Sequence, residues 1–178
     1  MIVCAGRNET FEYAQEIGVG LIESAINLTK ICLVKKPESI LFIGSAGSYG
    51  KYEIFDIIES CKASNIELSF LTNSSYTPLD KIFESNNEIQ RNDTIVNSSN
   101  YISIDEELTE QYNEYGIGIE NMEFFSVLQV ALEFKIPVTG IFIVTNYTNE
   151  NAHKDFIKNH KEAMKKLSKY LVDKNIIE

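Results

Sequence analysis

Gly116-Ile117-Gly118-Ile119-Glu120-Asn121-Met122-Glu123-Phe124-Phe125 is an apolar run that breaks at a Met-Glu pair before a helical pattern begins. Phe125, Leu128, Val130, Ala131 and Leu132 predict a helix over 122–134 with one buried side. Pro137 stops that pattern, and Val138-Thr139-Gly140-Ile141-Phe142-Ile143-Val144 reads as a buried strand that ends at the polar pair Thr145-Asn146. Open α/β sheets keep their chemistry at the carboxyl ends of strands and the helix starts beside them. Glu123 and Asn146 are therefore candidate walls of one crevice.

The rest of the chain repeats this alternation. Residues 2–5 predict a short apolar strand, closed by Gly6 and the polar turn Arg7-Asn8-Glu9-Thr10. Gly18-Val19-Gly20 predicts a second turn, and apolar residues from Leu21 to Leu33 recur at helical spacing until Pro37. Ile40-Leu41-Phe42-Ile43 is apolar throughout, as a strand covered on both faces is, and Gly44-Ser45-Ala46-Gly47-Ser48 reads as a turn after it. Further strands are predicted over 54–58, 66–72 and 94–96, and a polar loop over 73–93. Asp105 is placed to cap a short helix through about Tyr112, and a last helix is predicted over 151–172 with Phe156, His160, Met164, Leu167 and Leu171 on one face. Strands alternating with helices define an α/β class: three layers, α/β/α, around a mixed, largely parallel sheet. With no internal repeat or linker, residues 1–178 read as a single domain.

Composition excludes several function classes. The chain is 44% hydrophobic and 24% charged, with a net charge of −10 and only two arginines, Arg7 and Arg91. That balance argues against a nucleic-acid partner. No apolar run approaches the roughly 20 residues of a membrane span, so no membrane association is expected. The N-terminal Met1–Gly6 lacks the basic segment of a signal peptide, and Cys4, Cys32 and Cys61 lack metal or CxxC spacing. Reduced thiols and a cytoplasmic location are the expectation. His153 and His160 stand seven apart, too far for paired ligands on adjacent helical turns, and no metal is expected.

Periodicity and spacing thus give polar clusters after strand ends at Glu9, Ser45 and Asn146, and one at a helix start at Glu123. Each has an ordinary alternative. Glu9 alone reads as a surface glutamate, Glu123 as a carboxylate at a helix dipole, Gly44–Ser48 as a tight turn, and Tyr101 and Phe156 as core aromatics.

Taken in order, however, the motifs resemble the nucleoside phosphorylase/nucleosidase superfamily, near the methylthioadenosine/S-adenosylhomocysteine nucleosidases and the purine nucleoside phosphorylases. The matching residues are Glu9 in the first loop, Gly18-Val19-Gly20 before a helix, Gly44-Ser45-Ala46-Gly47 after a strand, Tyr101-Ile102, Met122-Glu123, and Thr145-Asn146 with Phe156 ten residues on. The resemblance implies cleavage of the N-glycosidic bond of a purine nucleoside. Glu9 would act as base for water or orient the 5′ side of the sugar. Met122 and Glu123 would bind ribose, while Tyr101, Ile102, Asn146 and Phe156 hold the base. Arg7, Gly44 and Ser45 would hold phosphate or water. No cofactor is implied beyond inorganic phosphate as a co-substrate, and a homodimer or larger homo-oligomer is implied.

The chain departs from that pattern in three ways. Only Thr10 to Ile17 stands where the family carries extra strands. Asn146 replaces the aspartate that assists the leaving purine, and Phe42 and Phe142 stand where supporting arginines are expected. Asparagine cannot protonate N7, but its amide can meet N7 together with a 6-oxo group, which favours inosine- or guanosine-like substrates. Phosphorolysis, hydrolysis, and binding without turnover all remain open at this level.

Overall fold

The computed structural model of the protein describes residues 1–85 and 94–178, so the end of the predicted 73–93 loop lies outside the described residues. In chain order the elements are β1 (Ile2–Cys4), β2 (Gln15–Glu16), α1 (Gly20–Lys35), β3 (Ile40–Ser48), β4 (Ile57–Ser60), β5 (Lys62–Ser64), α2 (Leu68–Leu71), β6 (Ile82–Glu84), β7 (Ile95–Asn97), α3 (Glu106–Glu110), β8 (Ile117–Glu120), α4 (Phe124–Glu133), β9 (Val138–Tyr147) and α5 (Ala152–Asp173). A 3-10 turn at Gln111–Tyr115 joins α3 to β8.

β3 is the strand on which the sheet is assembled. β9 runs parallel to it along its whole length, β1 runs parallel to its N-terminal half, and β8 pairs antiparallel with Gly47 and Ser48 at its far end. β7 and β5 extend the sheet in parallel beyond β8, while β4 and β6 add antiparallel edges. The result is the mixed, largely parallel sheet expected from the alternating pattern.

The layers follow from the two-residue period of a strand. On β9, Ile141 and Ile143 pack with Ile43, Cys4 and the α5 residues Ala163, Leu167 and Leu171. Phe142 and Val144 point the other way, to Phe42, Leu28 of α1 and Val127 of α4. Both faces are covered by helices, which is why 138–144 is apolar without alternation. Phe42, Phe124 and Phe142 meet with ring centroids 5.1–5.9 Å apart and no exposure. The two positions expected to carry arginines are thus filled by a wholly apolar ring cluster.

Four sequence expectations are corrected. Gly44–Ser48 is not a turn, because its backbone continues β3 and pairs with β9. Likewise β9 does not stop at Thr145-Asn146 but reaches Tyr147. The pairing shifts between Ala46 and Gly47, leaving Thr145 as an extra residue on β9. Such a bulge re-aims the next side chain, and here that side chain is Asn146. Over 66–72, α2 forms in place of a strand. Asn97 takes the Ile66 N–H on Oδ1 at 2.8 Å and donates from Nδ2 to the Ile66 carbonyl at 2.9 Å, so a side chain satisfies the groups a ladder would use. Finally, the 54–58 strand begins only at Ile57, since Phe55 adopts φ 74°. The Asp105 cap forms as expected, its carboxylate accepting from Leu108 N–H at 3.0 Å.

Candidate active site

A cavity of about 300 Å³ opens where the ends of β1, β3, β8 and β9 meet the N-terminal ends of α1, α4 and α5. Arg7, Glu9, Ser45, Tyr101, Ile102, Met122, Glu123, Asn146 and Phe156 all line it. Six separate stretches of the chain therefore contribute to one site. Gly44 borders the site without lining it. A Cβ there would lie 2.9 Å from Glu9 Oε2 and 3.2 Å from the Phe42 ring, so its bare Cα makes room for the glutamate.

Glu9 is only 8% exposed, so it is not the surface residue that the isolated sequence suggests. The turn that carries it is closed by reciprocal backbone bonds between Gly6 and Glu9, of 3.2 and 3.0 Å. Its carboxylate accepts from Ser45 N–H at 3.2 and 3.3 Å and from the Ser45 hydroxyl. Burial raises the Glu9 carboxyl above its ordinary range, the two Ser45 donors oppose that, and nearby His160 opposes it further. Both Ser45 donors are thus spent on Glu9, and Gly44–Ser48 is inside a paired strand. Arg7 sits at the rim with φ 58° and donates to Glu23 at 3.2 Å.

Glu123 is 3% exposed. It stands at the start of α4, yet its carboxylate serves a different helix: Oε1 accepts from Gly20 N–H, at the N-terminus of α1, at 2.9 Å. Gly20 can present that N–H because it holds φ 81°. Burial first, then the negative charge of Glu9, push the Glu123 carboxyl up to about 8. The two carboxylates are thus electrostatically coupled across the cavity.

Asn121 is a site residue that sequence reasoning missed. Its Oδ1 accepts from Glu123 N–H at 2.9 Å and Phe124 N–H at 3.0 Å, while its Nδ2 donates to the Ser45 carbonyl at 3.0 Å. One amide therefore starts α4, aims Glu123, and ties it to the strand that holds Glu9. An Asn three residues before the first helical residue, Phe124, was the available signal. Glu120 is a second such residue; it lines the cavity from the end of β8.

The mouth of the cavity is partly open. Tyr101 is 84% exposed and Ile102 50% exposed at the mouth, opposite Phe156, which packs at 4.9 Å against the His160 ring. Tyr101 is thus neither a core aromatic nor stacked on another ring of the described residues. Asn146 Oδ1 accepts from the Thr145 hydroxyl at 2.9 Å, and Nδ2 donates to the Tyr147 carbonyl at 3.1 Å. One N–H of the amide is left for a ligand.

Comparison with known proteins agrees with this architecture. Residues 91–174 match the family model described as the phosphorylase superfamily. A mutant of the Helicobacter pylori 5'-methylthioadenosine/S-adenosylhomocysteine nucleosidase, with 5'-methylthioadenosine in its active site, superposes with TM-score 0.79 at 16% identity, covering 97% of this chain and 95% of that one. A mutant of the Helicobacter pylori futalosine hydrolase gives 0.78 at 17% identity, with 97% of each chain covered. The Streptococcus pneumoniae nucleosidase bound to 8-aminoadenine gives 0.74 at 15% identity, covering 96% and 95%. No curated protein matches the sequence. The fold is that of the nucleoside phosphorylase/nucleosidase superfamily.

Proposed function

We propose that this chain is a member of that superfamily and a purine nucleosidase, hydrolysing the N-glycosidic bond of a 6-oxopurine nucleoside. The observation that carries this reading is the pair Glu9 and Glu123, two buried and coupled carboxylates in one cavity sized for a nucleoside. Breaking the bond builds positive charge on ribose and negative charge on the base. Glu123 accepts hydrogen bonds from the ribose hydroxyls and, ionised, stabilises the developing cation. Glu9, fixed by Ser45, takes the proton of the attacking water. Met122 packs against the sugar, Phe156 and Tyr101 flank the base, and Ile102 closes the edge.

Water as the acceptor is supported by electrostatics. Phosphate entering this cavity would meet Glu9, Glu120 and Glu123, while Arg7 is already paired with Glu23. Phe42 and Phe142, at the positions where the resembled family carries arginines, are buried apolar rings of the core. Asn146 directs the base: its free N–H can meet N7 and O6 on one edge of a 6-oxopurine. Base release from inosine is expected to exceed that from adenosine and to be unchanged by added phosphate. Chromatographic detection of free base with each nucleoside, in phosphate and in phosphate-free buffer, decides this. Faster cleavage of adenosine would remove the 6-oxopurine reading, and dependence on phosphate would make the enzyme a phosphorylase.

A second reading, a nucleoside-binding homologue without turnover, is favoured by Asn146, which has no proton to give N7. Calorimetric binding of inosine with no base released would select it. Either reading includes a homo-oligomer. Ile22, Ile26, Leu33 and Val34 on α1, with Tyr101, Ile102 and Ile104 near the mouth, are exposed apolar side chains of the kind that a second copy covers. Sedimentation is expected to show a dimer or larger species, and a monomer at micromolar concentration would count against it.

A further inference from the structure

Glu9 is carried by a turn whose Arg7 holds φ 58°, a left-handed conformation that a residue with a side chain adopts at a cost. The segment that follows gives the sheet only the two exposed residues of β2. The turn is braced instead from α5. His160 Nε2 lies 2.7 Å from the Asn8 carbonyl, 152 residues away in sequence. Further along the same helix, the Ser168 hydroxyl lies 2.8 Å from the Tyr13 hydroxyl. α5 is itself fixed to the sheet beside the cavity. Asn159 Nδ2 donates to the Thr145 carbonyl at 2.8 Å, and Ala163, Leu167 and Leu171 are buried with Ile141 and Ile143 of β9. His160 is therefore delivered to the turn from a rigid support.

The tautomer follows from the partners. A carbonyl only accepts, so Nε2 carries the proton. Nδ1 then has a bare lone pair, and it is buried with no partner among the described residues, where an N–H would be left unsatisfied. The Asn8 carbonyl shares its peptide unit with the Glu9 N–H, which donates to the Gly6 carbonyl at 3.0 Å. Holding that carbonyl holds the plane from which the Glu9 side chain departs. On the adjacent helical turn Phe156, which lines the cavity, packs against the other part of the ring, with centroids 4.9 Å apart. His160 does not itself line the cavity. Resting on the nucleosidase reading, we infer that His160 is a positioning residue, clamping the Asn8–Glu9 peptide so that Glu9 meets the attacking water in one geometry. Misplacing such a group by about 1 Å costs on the order of 10²-fold in rate. Asn8 is exposed, so water takes over its carbonyl when His160 is removed, and the fold loses little.

The test uses two variants. His160→Phe keeps a ring against Phe156 and removes the donor, while His160→Gln returns an N–H at similar reach. In His160→Phe, kcat for base release from inosine is expected to fall by roughly tenfold to a hundredfold with KM nearly unchanged, and His160→Gln should restore most of it. Added to Glu9→Gln, His160→Phe should cost less than about twofold more, because the group it positions is gone. The same loss in both backgrounds, or no rescue by glutamine, means a merely structural role and overturns the assignment. Amide hydrogen exchange followed by NMR separates this inference from the nucleosidase reading, since it needs no turnover. The Glu9 N–H should exchange roughly twofold to tenfold faster in His160→Phe, the range of one hydrogen bond, and return to the wild-type rate in His160→Gln. That result upholds the clamp even if no nucleoside is cleaved. Unchanged exchange overturns it even if inosine is hydrolysed, and so does faster exchange with kcat intact.

Discussion

Glu123→Gln is expected to lower kcat for base release by roughly 10²- to 10³-fold, the scale on which removal of one pre-organised electrostatic group acts. The carboxamide can still accept from Gly20 N–H, so α1 keeps its N-terminal partner. It can no longer place negative charge beside the sugar cation. The same substitution should stabilise the fold, and the sign follows from linkage. The Glu123 carboxyl titrates near 8 in the folded protein against 4.5 for the free side chain. Between those values the folded state holds a proton that the unfolded chain has released. The stability contributed by this group is complete below about 4.5, falls as pH rises to about 8, and is lost above that. Glutamine carries no such loss, so the variant should gain on the order of a few kcal/mol over wild type above pH 8 and little near pH 4. Chemical denaturation at several pH values, set beside initial rates, checks both halves. A variant that keeps wild-type turnover would remove Glu123 from the chemistry.

Glu9→Gln carries the second large effect. Loss of a positioned base costs roughly 10²- to 10⁴-fold in rate. Its further consequence is electrostatic. After burial, the charge of Glu9 is the largest influence raising the Glu123 carboxyl, so its removal should let Glu123 ionise at lower pH. In the wild type, kcat/KM should rise with pH as Glu123 ionises near 8. In Glu9→Gln the residual rate should be small and its rising limb should move to lower pH. A pH–rate profile for each protein, or carboxylate titration by NMR, measures the shift. A limb that stays in place would show that the two carboxylates are not coupled.

Much of this site is visible as residue types in order. Glu9, Met122-Glu123 and Asn146 follow or open predicted elements, and their order along the chain matches a known family. What the order does not show is which groups each side chain satisfies. Glu123 reads as a carboxylate for its own helix, yet it caps α1, some hundred residues earlier in the chain. Ser45 reads as part of a loop, yet it is inside β3 and spends both donors on Glu9. Gly-rich runs carry both readings locally, and only the partner strand β9 settles between them. Asn121 and Glu120 went unnoticed because their partners, Ser45, Ser103 and Tyr49, are remote in sequence.

The sequence by itself determined the class of fold, because apolar periods of two and 3.6 residues are local properties that decide which segments become strands and helices. It also placed Phe42 and Phe142 where the resembled family carries arginines, while their packing with Phe124 came only with the tertiary structure. The tertiary structure alone decided that Glu9, Glu120 and Glu123 share one cavity, that Asn146 turns into it past the extra residue Thr145, and that Glu123 is held near neutrality. Burial and charge coupling depend on distances between segments that the chain brings together only when the sheet closes, and no local pattern encodes those distances.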